Sequence, residues 1–276
     1  MMPRRPIALF APFSLGAGLL AVSLPAAAQT PPPPTWSSQY LGTGTSISLG
    51  AGAMVGPAYE GSDEFKFTPV PIIDVNGLFN DRVFLSTQRG IGVNALKSGP
   101  FTAGFSVNYS LGRDSDDADR LDGMSTIDGA AALSGFFKYD LKPFSFDATV
   151  TNRFGDDNGI TVKLGAQYAY SPHRDWRFSA GPSLTWADGN YTDSFFGISS
   201  SEAARATARG NALTAYNPGA GFKDVGFTVS ASYQISEGWS LRSMAGVSVL
   251  LGDAADSPLV EREIQPRFML GLAYRF

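Results

Sequence analysis

From residue 44 onward the chain repeatedly alternates large apolar residues with small or polar ones, over runs of roughly ten positions. Phe101, Ala103, Phe105, Val107 and Tyr109 alternate with Thr102, Gly104, Ser106 and Asn108. Ile160, Val162, Leu164, Ala166, Tyr168 and Tyr170 alternate with Thr161, Lys163, Gly165, Gln167 and Ala169. Trp176, Phe178, Ala180, Leu184 and Trp186 do so against Arg177, Ser179 and Ser183, and Trp239, Leu241, Ala245, Val247 and Val249 against Ser240, Arg242 and Ser248. Period-two alternation is a strand signal, because successive strand side chains point to opposite faces. Strands of soluble domains run to about 5–6 residues, whereas a tilted strand needs ~9–11 to cross a bilayer. One face here is aliphatic in the middle and aromatic near its ends; the other is Gly, Ser, Thr, Asn, Gln and isolated Lys or Arg. That is the patterning of a barrel with lipid outside and a polar lumen. A soluble β-sandwich also alternates, but with shorter strands and more highly charged polar faces.

Connection lengths test this independently. Candidate strands fall near 44–55, 66–76, 82–88, 90–96, 100–111, 127–140, 143–154, 160–171, 175–187, 223–236, 239–251 and 264–276. Long connections, 56–65, 112–126, 188–222 and 252–263, follow odd-numbered strands; those after even-numbered strands are short. Bacterial single-chain barrels have an even strand number, short periplasmic turns and long outer loops. The expected fold is therefore all-β, an antiparallel transmembrane barrel of twelve strands, with ten as the alternative count. The stretch VFLSTQRGIGVNA reads as two strands around Gln88-Arg89-Gly90, since a single bulged strand would leave an odd number.

The first residues read as an export leader. Arg4 and Arg5 precede an apolar stretch from Ile7 to Leu24, and Ala26-Ala27-Ala28 offers a small-residue cleavage site. The expected organisation is a signal peptide over 1–28, a proline-rich periplasmic lead over 29–43 carrying Pro31 to Pro34, and the barrel over 44–276. Losing Arg4 and Arg5 from 21 basic residues leaves 19 against 25 acidic ones, a net charge of −6. That balance argues against nucleic acid or polybasic membrane docking. With no Cys, neither disulfides nor thiol chemistry is available.

Several ordered segments then resemble one family. GPAYEGSDEFKFTPVPIIDVNGLFND (56–81) is similar to the Y-x-G-S-D and P-x-P signature of the MipA/OmpV family. GIGVN (90–94), Leu111-Gly112-Arg113 and YTDSFFGISSSEAARATARGNALTAYNPGAG (191–221) match further motifs, with departures at Phe196, Ile198 and Asn211. The resemblance covers the chain from about residue 44 to Phe276. It implies a protein of the bacterial outer membrane, among outer-membrane lipid and lipopolysaccharide. One member is regarded as a scaffold joining a lytic transglycosylase, MltA, to a penicillin-binding murein synthase; others are described as adhesins, immunogens or proteins affecting antibiotic entry. The leading expectation is a non-enzymatic scaffold for murein-remodelling enzymes. It would use the proline-rich lead and the turns near Asn76–Asp81, Lys97–Gly99 and Ser171–Asp175. The alternatives are a narrow pore for small solutes or antibiotics, and an outer-surface adhesin acting through the 188–222 loop.

The chemistry-bearing residues are few. His173 is the single histidine and falls in a short turn, where a lipid-level nucleophile would not reach it. One His and no Cys exclude ordinary zinc spacing. Asp114, Asp116, Asp117, Asp119 and Asp122 loosely imitate a calcium loop, but its Gly and closing Glu are missing. No catalytic, cofactor or metal residue is therefore expected. Alternation points Asp147, Lys163, Gln167, Arg177, Arg242, Arg267 and Arg275 into the lumen, either as an ion-filtering ring or, the favoured reading, paired across it. The 188–222 loop is too long for a passive connector. It is expected to enter the mouth as a plug, with a short helix near 202–209 and with Arg205 and Arg209 facing lumen carboxylates.

The stretch RFMLGLAYRF closes the sequence as another alternating strand: Phe268, Leu270, Leu272, Tyr274 and Phe276 outward, Arg267 and Arg275 inward. A terminal Phe with an aromatic two residues before it resembles the signal read by barrel-assembly machinery. Deleting Phe276 is expected to lower the outer-membrane yield more than it alters the folded barrel, measured by heat-modified electrophoretic mobility; unchanged yield contradicts the assignment.

Overall fold

Alternation gives each strand an apolar side, but in hydrocarbon the backbone N–H and C=O groups also need partners, which only a closed ladder supplies to every strand. The computed structural model describes residues 44–276, and there the ladder closes. The strands are β1 (Ser46–Pro57), β2 (Phe65–Gly77), β3 (Val83–Ser86), β4 (Gly90–Ser98), β5 (Phe101–Ser110), β6 (Ala130–Leu141), β7 (Phe144–Arg153), β8 (Gly159–Tyr170), β9 (Trp176–Ala187), β10 (Gly221–Gln234), β11 (Trp239–Leu250) and β12 (Ile264–Arg275). Neighbours in sequence are neighbours in the sheet, all antiparallel, and β1 pairs β12 from Ser48↔Arg275 to Val55↔Phe268. The expected twelve strands are present, including the split at Thr87–Arg89 between β3 and β4. The expected leader over 1–28 and the lead over 29–43 lie outside the described residues.

One expected boundary shifts. A strand beginning at 127 is not formed; β6 starts at Ala130, because Arg113 and Ile127 exchange backbone hydrogen bonds (2.9 and 2.8 Å) and draw residues 111–129 into a separate loop.

The outer wall carries the predicted apolar rows, among them Phe105, Val107, Leu164, Phe227, Leu270 and Leu272, all exposed to the surroundings of the barrel. Near the short turns the aromatic residues meet around much of the circumference: Phe101 stacks on Tyr139, Phe144 lies against Tyr168, Trp176 against Phe178 and Tyr233, and Tyr274 against Trp239 and Phe276. Along β9 ten residues separate Trp176 from Trp186. At ~3.3 Å per residue and a tilt of about 40°, that is roughly 25 Å, the height of an outer-membrane apolar band.

The conventional hydrophobic core of this chain lies in the loops. Tyr59, Ala118, Leu121, Met124, Ile198, Ala206, Leu213 and Leu259 come from four different outer connections and bury one another. A second cluster joins Phe196 to Leu250 and Ala254. The 188–220 connection supplies two helices, α1 (Gly189–Phe196) and α2 (Ser200–Ala208), and the 251–263 connection a short one, α3 (Gly252–Ala255). Asp188 caps α1 by accepting the Tyr191 N–H at 2.9 Å; Ser199 and Glu202 form a reciprocal capping box on α2. Gly123, at φ +92°, brings its loop against the α2 backbone so closely that a Cβ would lie 2.5 Å from Ala206. The outer loops thus form a folded cap.

Leu121 and Leu259 are fully buried in that cap. Replacing either with Ala should cost about 2–5 kcal/mol of cap stability. The expected readout is faster limited proteolysis within 111–129 and 188–220, with the barrel's heat-modified mobility unchanged; equal cleavage rates would contradict a cooperative cap.

Candidate functional site

Inside the barrel, the side chains opposite the apolar rows meet in a lumen with two distinct ends. At the outer end a bulge decides the arrangement. The β9–β10 register shifts between Phe222 and Asp224, so Lys223 is an extra residue in the ladder. Phe222 stays on the outer wall, while Lys223 and Asp224 are both buried. The Lys223 ammonium reaches Glu60 Oε1 at 2.7 Å and Asp224 Oδ2 at 2.8 Å. Tyr191 of α1 donates to Glu60 Oε2 at 3.3 Å, and Thr185 of β9 donates to Asp224 Oδ1 at 3.1 Å. A buried lysine is tolerable only when so answered. The network fastens the 58–64 loop and α1 of the cap to the barrel wall.

Two buried guanidiniums add to this fastening. Arg113 donates to the Phe195 carbonyl at 2.7 Å, and Arg153 donates to the carbonyls of Asp128 and Asp157. The Nε atoms of both are buried without a partner among the described residues. Burial lowers the Arg113 pKa, partly offset by the charge of Glu202.

The periplasmic end is different. A cavity of about 660 Å³ opens there, lined by Ser48, Asp74, Asn76, His173, Arg174, Asp175, Arg177, Gln234, Arg242 and Arg275 among others. Asp74 of β2 pairs with Arg242 of β11 across the intervening β1 and β12. Asp175 lies 3.1 Å from His173 Nδ1 and 3.6 Å from Arg174. The side chains of Arg177 and Arg275 make no hydrogen bond or ion pair with a described residue. Four guanidiniums therefore face two carboxylates, both already engaged.

The predicted lumen residues are thus divided. Arg177, Arg242 and Arg275 share the periplasmic cavity, Arg267 lies at the outer end near Glu60, and Asp147, Lys163 and Gln167 lie on β7 and β8. General pairing across the lumen is corrected: of the seven, only Arg242 forms an ion pair with a described residue; Lys138, directly across the ladder from Asp147, pairs with Asp140 instead. Arg205 and Arg209 also differ from expectation. Arg205 donates to the Gly123 carbonyl and to Ser125, and Arg209 pairs with Asp122 at 2.7 Å, so both join α2 to the 111–129 loop rather than to lumen carboxylates. The acidic run is engaged in the same way: Asp114 caps a turn, Asp117 accepts from Lys66, and Asp122 accepts from Arg209. Phe268, Leu270, Leu272, Tyr274 and Phe276 all face outward on or beside β12. Sequence reasoning missed Glu60, Lys223 and Asp74; the adjacent Lys223-Asp224 at a strand start was the available signal for the bulge.

The cap should respond to acid. Burial alone would raise the pKa of Glu60, but the charges of Lys223 and Arg267 and hydrogen bonds from Lys223 and Tyr191 hold it below the usual carboxylate value. Glu202, despite burial, is lowered by hydrogen bonds from Ser199 and Ser125. Depressed carboxylates stabilise the fold fully above their unfolded pKa, and that contribution is lost as pH falls through the folded value. Glu261, raised by burial and by Asp63, opposes this in part. Hydrogen-exchange protection factors across 188–220 should fall as pH drops below about 4.3, and Glu60→Gln should flatten that dependence; an identical acid response in the variant contradicts the assignment.

Comparison with known proteins agrees with this architecture. The family model described as MltA-interacting protein MipA matches residues 49–276. The MltA-interacting protein of Escherichia coli strain K12 is 28% identical over 241 residues, covering 83% of this chain and 90% of that one. The putative outer membrane protein YiaT of Escherichia coli O157:H7 is 26% identical over 243 residues, covering 85% and 92%. Among solved structures, the translocator domain of the autotransporter NalP from Neisseria meningitidis overlaps with a TM-score of 0.43 at 10% identity, covering 87% of this chain and 91% of that one, too loosely to carry an argument about role. On the extent of the family match and the closed twelve-stranded barrel, the chain is a bacterial outer-membrane protein and belongs to the MltA-interacting protein MipA family.

Proposed function

We propose that this protein is a non-enzymatic, non-conducting anchor in the outer membrane whose periplasmic face holds murein-remodelling enzymes. The observation that carries the reading is the contrast between the two ends of the lumen. The outer end is covered by a cap with its own core and a buried ionic fastening. The periplasmic end keeps an open cavity in which Arg177 and Arg275 are uncommitted. A molecule closed outward and open inward offers its recognition surface to the periplasm. The turn Ser171–Asp175 and Asn76, two of the expected contact regions, border that cavity. The name of the Escherichia coli relative records an interaction with MltA. The expected leader (1–28) would deliver the chain, and the outward row from Phe268 to Phe276 would be its contact with assembly machinery.

Two measurements test the proposal. The purified protein should be silent in a planar bilayer; stepwise conductance would establish the pore reading instead. Immobilised protein should retain a lytic transglycosylase and a penicillin-binding murein synthase, and Arg174→Glu with Arg177→Glu should weaken retention about tenfold through reversed charge. Capture equal to that of an unrelated barrel overturns the anchor role.

A further inference from the structure

The barrel wall is not equally complete all round. β3 has only four residues, and its ladder with β2 consists of Asp74↔Ser86 and Val75↔Leu85. The turn after it is held to β2 by Thr87, whose N–H donates to the Ile73 carbonyl and whose hydroxyl donates to the Pro71 carbonyl, both at 2.9 Å. Above that level β2 continues for six more residues, Phe65 to Val70, with no strand beside it on this side. On the far side, β5 passes its last partner in β4 at Ile91↔Val107 and continues to Ser110. β3 and β4 both end at Thr87–Arg89, so β2 and β5 are three strand spacings apart there, roughly 14 Å. The result is a notch in the outer half of the wall, roofed where Lys66 of β2 pairs with Asp117 of the 111–129 loop.

The notch is chemically prepared for lipid. Pro71 and Ile73 turn their backbone groups toward the gap, so the same edge at period two includes Pro69. Proline has no N–H, and it belongs on strand edges for that reason. Pro69 and Pro71 therefore contribute no N–H to this edge, so of its residues above Thr87 only Phe67 and Phe65 carry a donor. Phe65, Phe67, Tyr109 and Leu111 stand on the outer face at its two edges, each at least half exposed.

Behind the notch lies a cavity of about 640 Å³, beneath the cap. Thr68 and Leu111 border it at the notch, and Met54 and Phe195 line it further in. Two cations face it with capacity to spare: Arg113, only 5% exposed, whose Nε has no partner among the described residues, and Arg267, whose side chain lies near Glu60 but makes no hydrogen bond or ion pair with a described residue. Of the four carboxylates lining it, Glu60 is held by Lys223 and Tyr191, Asp117 by Lys66, and Asp114 caps its own turn, while Asp128 is exposed and its carboxylate makes no hydrogen bond or ion pair with Arg113 or Arg267. The volume lies within the range of small-molecule sites, about 300–1,000 Å³.

We propose that the notch is a lateral entrance from the outer leaflet, through which the cavity takes an acyl chain bearing an anionic head group. The chain lies against Met54 and Phe195, and the head is held by Arg113 and Arg267. A fatty acid and the phosphorylated, acylated glycolipid of the outer leaflet share this chemistry.

The test uses the full-length protein in nanodiscs of zwitterionic lipid with a photoreactive hexadecanoate probe, mapping adducts by mass spectrometry. Adducts are expected on Met54, Thr68 or Phe195. Thr68→Trp, which narrows the entrance from within, should reduce them about tenfold, as should Arg267→Gln. Wall adducts at Phe137 should be unchanged in both variants, which also reports that each has folded. Competition by phosphorylated lipid A assigns the glycolipid as the natural source, and competition by unlabelled fatty acid alone assigns the fatty acid; either result supports the site. Adducts confined to outward residues such as Phe67 and Phe137, or equal labelling by a photoreactive hexadecyltrimethylammonium probe, overturn the proposal.

Discussion

Every feature of this molecule depends on one requirement: in hydrocarbon, a strand's backbone must find its hydrogen-bond partners within the protein. The antiparallel pairing of β1 with β12 meets it by removing the two free edges that an open sheet would present. Once the sheet is closed, alternation acquires an absolute meaning, since each odd or even position is either wall or lumen. Where the ladder is shortest, between β2 and β3, the sequence puts Pro69 and Pro71, residues with no donor to leave unpaired, so the edge carries fewer donors than an ordinary strand would.

Closure also determines where a conventional core can form. The wall turns its apolar side outward, so little remains to pack inside. The outer connections make up the deficit by folding on one another, burying Leu121, Leu259, Ala206 and Phe196. Charge inside the barrel follows burial in turn. At the capped end, Lys223, Glu60 and Asp224 are withdrawn from water and answer one another. At the open end, Arg177 and Arg275 are exposed, and their side chains have no partner among the described residues. The same residue types thus act as fasteners at one end and as available groups at the other, because solvation decides which is affordable.

Strands were legible because a period of two survives any tertiary context that keeps one face in lipid. Their number, order and the split at Thr87–Arg89 followed from alternation and connection length. α2 was legible from its helix-forming residues, and the Ser199–Glu202 capping box strengthens that signal. α1 was not, since Gly189, Asn190, Tyr191 and Thr192 are poor helix formers and the segment is helical through burial of Thr192 and Phe196. Arg205 and Arg209 lie on and beside α2, and their partners depended on how the 111–129 loop folds against it. No periodicity encodes that packing.

The bulge at Lys223 shows how a local irregularity can carry a global role. In a strict ladder, residue 223 would occupy a single place, and either Phe222 or Asp224 would face the wrong medium. One extra residue resolves this: Phe222 keeps its place against lipid, while Lys223 and Asp224 are both buried. An ammonium and a carboxylate then lie side by side at the rim where the cap begins. Because Asp224 already neutralises Lys223 in part, the further bond to Glu60 adds a cap contact without adding an uncompensated charge to the wall. A lysine in register would have needed Glu60 as its only partner, leaving a buried, unanswered ammonium whenever the cap moved. The bulge therefore puts an ammonium already balanced by its neighbour on the barrel wall, and the cap is held to it through Glu60 and Tyr191.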